Sequence, residues 1–288
     1  MTPPPRIAIV GTGPVGRALA AAYVAGGGEV VAVVSRSAER AADVARRTGA
    51  SLGSADLAVA LAADVTIVAI PDRALPELSA RLAALPDSGA RVVFHTSGAI
   101  EGAILAAGRR PVGSLHPLQS FPDRAEDRVL ALRVAGAHWF HEGDGAQDAA
   151  ATVAVWRGSL HRLAPGAKAL YHAGAAVLSN HTVALFDAAM RLFAAAGVPR
   201  DEAQAPLAAL LAGTSANLAS AGVPQALTGP IARGDVDTVR RHLDAIRLAA
   251  PELAESYVAM ARRTLVVAIE KGSIDASAAG LLAQLLRS

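Results

Sequence analysis

The stretch Ile7-Ala8-Ile9-Val10-Gly11-Thr12-Gly13-Pro14-Val15-Gly16 decides how the first half of this chain is read. Its four apolar residues have the short, β-branched character of a strand, and Gly-x-Gly-x-x-Gly then opens a helical run from Arg17 to Ala25. Each glycine has its own physical task. Gly11 makes the tight turn, Gly13 lets the backbone approach a pyrophosphate, and Gly16 permits close helix packing. The helix N-terminus, with its unsatisfied N–H groups, then faces the anion. Glycine turns are common by themselves, but here the strand before, the helix after and a second strand all fall where a dinucleotide fingerprint requires them. Gly11, Thr12, Gly13, Pro14, Val15 and Gly16 are therefore expected to hold the cofactor.

The second strand ends in Val34-Ser35-Arg36-Ser37, about twenty residues beyond the glycines, where an NAD site usually carries an acid for the ribose hydroxyls. An arginine flanked by serines suits a 2′-phosphate instead, so NADP is the expected cofactor: Arg36 can stack on adenine and pair with phosphate, and Ser35 and Ser37 can donate hydrogen bonds. The bland alternative for Arg36 is a solvated arginine at a strand end. Val68-Ala69-Ile70-Pro71-Asp72 and Phe94-His95-Thr96-Ser97-Gly98 close the next two strands. Ligands of open α/β sheets bind beyond the carboxyl ends of strands, which places Ile70, Pro71, Thr96 and Ser97 beside the cofactor, Pro71 and Ser97 toward its ribose or nicotinamide end. Asp72 reads as an N-cap for a helix over Leu75 to Leu85.

Working outward, strand-like runs at Arg6 to Val10, Glu29 to Val34, Val65 to Ile70 and Arg91 to Thr96 alternate with alanine-rich helical stretches, the pattern of βαβ units. Pro111 to Leu115, Leu132 to Phe140 and Ser159 to Leu163 add strands. Beyond Pro165 helical periodicity takes over, with Asp235 and Asp275 placed as N-caps and Pro251 in a first helical turn. The expected fold is α/β: a Rossmann-type doubly wound parallel sheet over residues 1–164, followed by an all-α C-terminal domain over 165–288.

Composition narrows the function classes. With 52% hydrophobic and 18% charged residues the chain has enough apolar surface to fold, and its apolar runs are too interrupted for a membrane span. Met1 to Pro5 lacks the basic start of a signal peptide, so a soluble, cytoplasmic protein is expected. The absence of cysteine excludes disulfides, thiolate metal sites and a cysteine nucleophile, and no metal site is expected. A net charge of +2 without a basic run argues against nucleic acid as a partner. Arginine supplies nearly all the positive charge; the only lysines are Lys168 and Lys271.

That scarcity draws attention to the helix expected from Gly166 to about Ala196. At about 100° per residue, Lys168, His172 and Ser179 project within a narrow arc, with Thr182 close by and Asn180 twisted further round. A lysine or histidine there can donate a proton to a carbonyl oxygen as hydride reaches its carbon, and can hold negative charge on a carboxylate. The alternative is the solvated polar face of a helix. His116, in His116-Pro117-Leu118-Gln119-Ser120-Phe121-Pro122 at a strand end, is either a substrate contact on a proline-stiffened loop or a structural histidine. Lys271, just before Gly272, reads as a cation complementing a helix C-terminus.

These segments, together with Tyr171-His172-Ala173 and Leu227-Thr228-Gly229-Pro230-Ile231-Ala232-Arg233-Gly234-Asp235, carry a resemblance over nearly the whole chain. The chain resembles Rossmann-like oxidoreductases with a helical C-terminal domain of unknown function, related to ketopantoate reductase and pyrroline-5-carboxylate reductase. The glycine motif is shared by many dehydrogenases; the His-Pro-Leu-Gln and Leu-Thr-Gly-Pro segments are more specific. Arg36 and the line from Lys168 to Ser179 lead to an NADPH-dependent reductase of a small 2-oxo acid; the resemblance implies ketopantoate as that acid and a homodimer formed by the helical domains. An imine reductase and a cofactor-binding sensor without turnover are the competing readings. Ketopantoate reductases place a catalytic lysine on the first helix of the second domain, a position that Lys168 matches. Their asparagine one turn later is replaced by His172, which departs from the family's hydrogen-bonding set.

Overall fold

A computed structural model describes residues 3–86, 89–106 and 109–287; Met1 and Thr2 of the leader lie outside them. The chain divides into two compact units, Met1–Ser179 and Asn180–Ser288, so Lys168, His172 and Ser179 belong with the sheet.

In the first unit the β-branched runs become strands because both their faces are covered. β1 (Ile7–Val10), β2 (Val30–Val34), β3 (Gly53–Ser54), β4 (Val65–Val68), β5 (Val92–His95), β6 (Val112–Pro117), β7 (His138–Gly143) and β8 (Ser159–Arg162) form one sheet in the order β3-β2-β1-β4-β5-β6-β7-β8. All neighbours are parallel except β6 and β7, where Leu115 faces His141. β1, β4 and β5 are buried throughout, as near-continuous apolar strands of a parallel sheet should be. Alternate residues serve opposite faces. Ile7 and Ile9 pack with Leu19, Tyr23 and the stacked pair Trp139 and Trp156, whereas Ala8 and Val10 pack with Leu57, Leu75 and Leu78. Strand order reverses between β1 and β4, the place where a crevice opens beyond the carboxyl ends of such a sheet.

The helices of this unit are α1 (Pro14–Ala25), α2 (Ala38–Thr48), α3 (Leu75–Ala83), α4 (Asp127–Val134), α5 (Ala146–Val155) and α6 (Lys168–Leu178). α1 begins with Pro14 at its first position and Gly13 as N-cap, which suits a helix whose first N–H groups must stay free for a ligand. Asp127 ties α4 to α1 and α2, pairing with Arg17 at 2.5 Å and Arg47 at 3.4 Å. The sequence reading of Leu132 to Phe140 as one strand is corrected here. Leu132 to Val134 end α4, where Leu130 and Val134 are fully buried at helical i, i+4 spacing; Gly136, at φ 73°, turns the chain, and the strand begins at His138. β3 was not expected, being only two residues long, too short to show a period.

The second unit is helical: α7 (Asn180–Ala195), α8 (Arg200–Ala221), α9 (Val223–Ala226), α10 (Val236–Ala249), α11 (Ala254–Lys271) and α12 (Ala276–Leu285). The long helix expected from Gly166 to Ala196 is therefore two, with α6 ending at Leu178, Ser179 as its C-cap and α7 starting at Asn180. Asp235 and Asp275 cap α10 and α12, accepting from the N–H groups of Thr238 and Ala278. Pro251 opens a 3-10 turn ahead of α11. Lys271 complements a C-terminus, but that of α9: its ammonium donates to the carbonyls of Gln225 and Leu227 at 3.3 and 2.7 Å. Val239, Leu243, Leu265 and Leu282 form the core of this unit. No helix among the described residues is long and apolar enough to cross a membrane.

Candidate active site

The glycine turn can be tested against its three tasks by asking what a Cβ would meet. At Gly11 (φ 126°) it would lie 2.1 Å from the Ala69 carbonyl oxygen, and at Gly16 it would lie 2.2 Å from the Gly11 carbonyl oxygen. At Gly13 it meets nothing within 4 Å. Gly11 and Gly16 are thus required by packing, while Gly13 faces open space at the helix N-terminus, where an anion can come close to the backbone. This turn borders a cleft of about 420 Å³, lined also by Ser35, Arg36, Ser37, Ile70 and Pro71 and by Arg40 and Arg81. Arg36 and Arg40 are exposed, and among the described residues neither forms an ion pair. Two unpaired guanidiniums, Arg36 just beyond β2 and Arg40 in the first turn of α2, with no acid in the ribose-binding position, suit an extra phosphate on the ribose. Ser37 accepts from the Arg40 N–H as N-cap of α2, and Ser35 Oγ accepts from the Ser37 N–H.

A second group of polar residues gathers at the same end of the sheet. The elements that bring it together are the turn after β5, the end of β6 and the start of α6. Lys168 is fully buried, and its Nζ donates to the Ser97 carbonyl at 2.6 Å and to Ser114 Oγ at 2.8 Å. Ser97 is held on every side: its N–H donates to His95 Nδ1, and its hydroxyl donates to Asp72 Oδ2 at 2.9 Å and accepts from the N–H groups of Ala99 and Ile100. His95, accepting at Nδ1, carries its proton at Nε2, which donates to the Glu101 carbonyl.

Above this turn stand His116, Tyr171 and His172. The Tyr171 hydroxyl lies 2.7 Å from His116 Nδ1, and the His116 and His172 rings meet edge to face at 6.2 Å. Gly98 forms the floor. A Cβ there would lie 2.4 Å from His172 Cδ2 and 2.9 Å from His116 Nε2, so only glycine leaves these imidazoles room. Phe140 packs on Tyr171 at 4.6 Å from the other side.

Burial sets the protonation of the group. It pushes the Lys168 ammonium down to about 8, against the opposing pull of Glu142, Glu101 and Asp72. It lowers His95 to about 4 and His116 to about 3, with the positive charge of Lys168 adding to the depression of both. Tyr171 rises to about 12, again by burial. His116 is therefore a neutral imidazole and Tyr171 a phenol across the physiological range.

The structure brings His116, a separate candidate in the sequence, up to Lys168 and His172 on their one helix, but Lys168 is inside the unit, which removes the solvated-face reading for it. His116 and Pro117 are the last residues of β6, not part of a loop. Ser179 and Asn180 are exposed at the break between α6 and α7. Among the cofactor residues, Val15 packs against the core below α1, Thr96 bonds back to the Val68 carbonyl, and neither Thr96 nor Ser97 lines the cleft. Asp72 is no N-cap of α3, since its carboxylate is engaged by Ser97. Sequence reasoning missed Arg40, Ser114 and the part played by Tyr171. Arg40 offered a signal, lying in the first turn of the helix that Ser37 caps; Ser114 offered none.

Residues 6–93 match the family model described as NADP oxidoreductase, coenzyme F420-dependent, and residues 139–264 match a domain of unknown function, DUF2520. No curated protein gave a significant match. Among solved structures the chain is similar to protein TM1727 from Thermotoga maritima, at 24% identity and TM-score 0.68 over 90% of this chain and 98% of that one. It is similar to BF3122 from Bacteroides fragilis, provisionally named an NADP oxidoreductase, at 23% identity and TM-score 0.68 over 91% and 98%. A pyrroline-5-carboxylate reductase from Coxiella burnetii shares the fold at 15% identity and TM-score 0.61, over 98% of each chain. A Rossmann-like sheet whose first strands carry the NADP oxidoreductase match, with a DUF2520 match that begins in β7, marks the chain as an oxidoreductase.

Proposed function

We propose that the chain is an NADPH-dependent reductase of a small imine or ketone, with His116, Tyr171 and His172 at the reacting end. The observation that carries this reading is the placement of that trio over Gly98, at the carboxyl ends of β5 and β6 and at the same end of the sheet as the glycine turn. When bound, the cofactor supplies hydride. The chain's own part is to hold the phosphates at Gly13 and the arginines, and to place hydrogen-bond donors where charge develops on the substrate oxygen or nitrogen. NADP is preferred over NAD because Arg36 and Arg40 stand where a ribose-binding acid would.

Lys168 decides between substrate classes. A 2-oxo acid, ketopantoate included, needs a cation for its carboxylate, and Lys168 occupies the position that the resemblance gives to a catalytic lysine. Its ammonium is buried and bonded to Ser97 and Ser114, which favours an imine or uncharged ketone. A solved neighbour in fold is a reductive aminase from Aspergillus terreus bound to NADPH, whose name fits the same chemistry. The test is a panel of cyclic imines, ketone and amine pairs and 2-oxo acids assayed by NADPH oxidation. Turnover confined to 2-oxo acids overturns the substrate reading; NADPH binding without turnover of any of them favours a sensor.

A further inference from the structure

We infer that Tyr171 is a positioning residue that locks His116 in one tautomer, with the proton on Nε2, so that this N–H is the donor presented above Gly98. The inference rests on the reductase reading for its purpose, but not for its geometry. The Tyr171 hydroxyl reaches His116 Nδ1 at 2.7 Å, and among the described residues that nitrogen is its one hydrogen-bond partner. A neutral imidazole has one N–H and one acceptor nitrogen, so a phenol donating to Nδ1 leaves the proton at Nε2. In the reverse arrangement, with Nδ1–H donating to the phenol oxygen, the Tyr171 hydroxyl proton has no acceptor among the described residues.

Nε2 is also the nitrogen turned toward Gly98. Of the His116 ring atoms it lies closest to the space that a Cβ of Gly98 would fill, at 2.9 Å, with His172 Cδ2 nearer still at 2.4 Å. Burial and the positive charge of Lys168 keep His116 neutral, so it polarises a substrate oxygen or nitrogen as a hydrogen-bond donor without giving up its proton. Phe140, stacked on His161 and tilted against Tyr171, supports the ring that sets the tautomer. The pattern parallels a histidine on a metal, whose orientation is set by what its other nitrogen contacts.

The test is long-range 1H–15N NMR of histidine-labelled protein near neutral pH, with His116→Gln to assign the signal. The expected result is a His116 resonance pair of the Nε2–H form in the wild type. In Tyr171→Phe it should move toward a mixture of tautomers while NADPH binding is retained, since Tyr171 does not border the cofactor cleft. A wild-type His116 protonated at Nδ1, charged, or already mixed overturns the inference. So does a Tyr171→Phe spectrum in which the Nε2–H form persists unchanged. The spectra decide the tautomer even if no substrate is found, so failure of the reductase reading and failure of the lock are separate outcomes. Where a substrate is in hand, Tyr171→Phe should lower kcat roughly tenfold or more, with a smaller change in KM.

Discussion

Replacing Lys168 by methionine should cost little stability near neutral pH and progressively more as pH rises, the reverse of the usual expectation for removing a charge. The wild-type ammonium is held at about 8 instead of its ordinary 10.5, because burial disfavours the charged form. Below the lower value both folded and unfolded chains carry the proton, and the fold bears the full cost of burying it. Between the two values the unfolded chain binds a proton that the folded chain does not, so wild-type stability rises with pH. At about 1.4 kcal/mol per pH unit the gain approaches roughly 3 kcal/mol by the upper end of that window. Methionine has no such cost to relieve, but it leaves the Ser97 carbonyl and Ser114 hydroxyl without their donor, a loss of about 1 to 3 kcal/mol per buried group. Near pH 7 the shed desolvation and the lost hydrogen bonds nearly offset, leaving a difference within about 2 kcal/mol. Near pH 10 the variant should lag by about 2 to 3 kcal/mol more. Urea unfolding of both proteins at the two pH values reads this directly, because folded His95 and His116, whose titration the Lys168 charge depresses, are neutral at both pH values and titration elsewhere cancels in the difference. A gap of the same size at both pH values would show that Lys168 titrates normally and that its burial is misjudged.

Three further outcomes are expected. Arg36→Ala and Arg40→Ala should each weaken NADPH about tenfold to a hundredfold and leave NADH nearly untouched, as fluorescence titration can show; equal losses for both cofactors would refute a 2′-phosphate role. Gly13→Ala should fold with an unchanged melting temperature yet bind cofactor poorly, because its Cβ meets open space, whereas Gly11→Ala should fail to fold stably against the Ala69 carbonyl. The chain should be a dimer by light scattering at micromolar concentration, through helices such as α8, where Leu210, Leu211 and Leu218 are exposed; a monomer mass throughout would refute that.

What was legible in the sequence was what local sterics and local periodicity decide. Gly11, Gly13 and Gly16 could be assigned separate tasks before any coordinates, because each task is a demand on one Cβ by atoms a few residues away or by the neighbouring strand. The i, i+4 relation of Lys168 and His172 was likewise correct as a statement about a helix surface. It carried no information about which way that surface faces. Lys168 is buried by partners 71 and 54 residues earlier in the chain, and nothing in its own neighbourhood announces Ser97 or Ser114. The same lack of long-range information let Leu132 to Phe140 pass as a strand, since Leu130 and Val134 reveal their helical spacing only once α1 is known to pack against them. The candidate site is thus split by range. Its phosphate-binding half is written within one βαβ unit and can be read there. The half proposed to react is assembled from β5, β6 and α6, where Lys168 bonds to the Ser97 carbonyl and Ser114 while its neighbour Tyr171 is the residue touching His116. In a sheet of this order, a polar residue's role follows from the strand end it meets more than from its own helix, which is why Lys168 and Tyr171, three residues apart on α6, face different tasks.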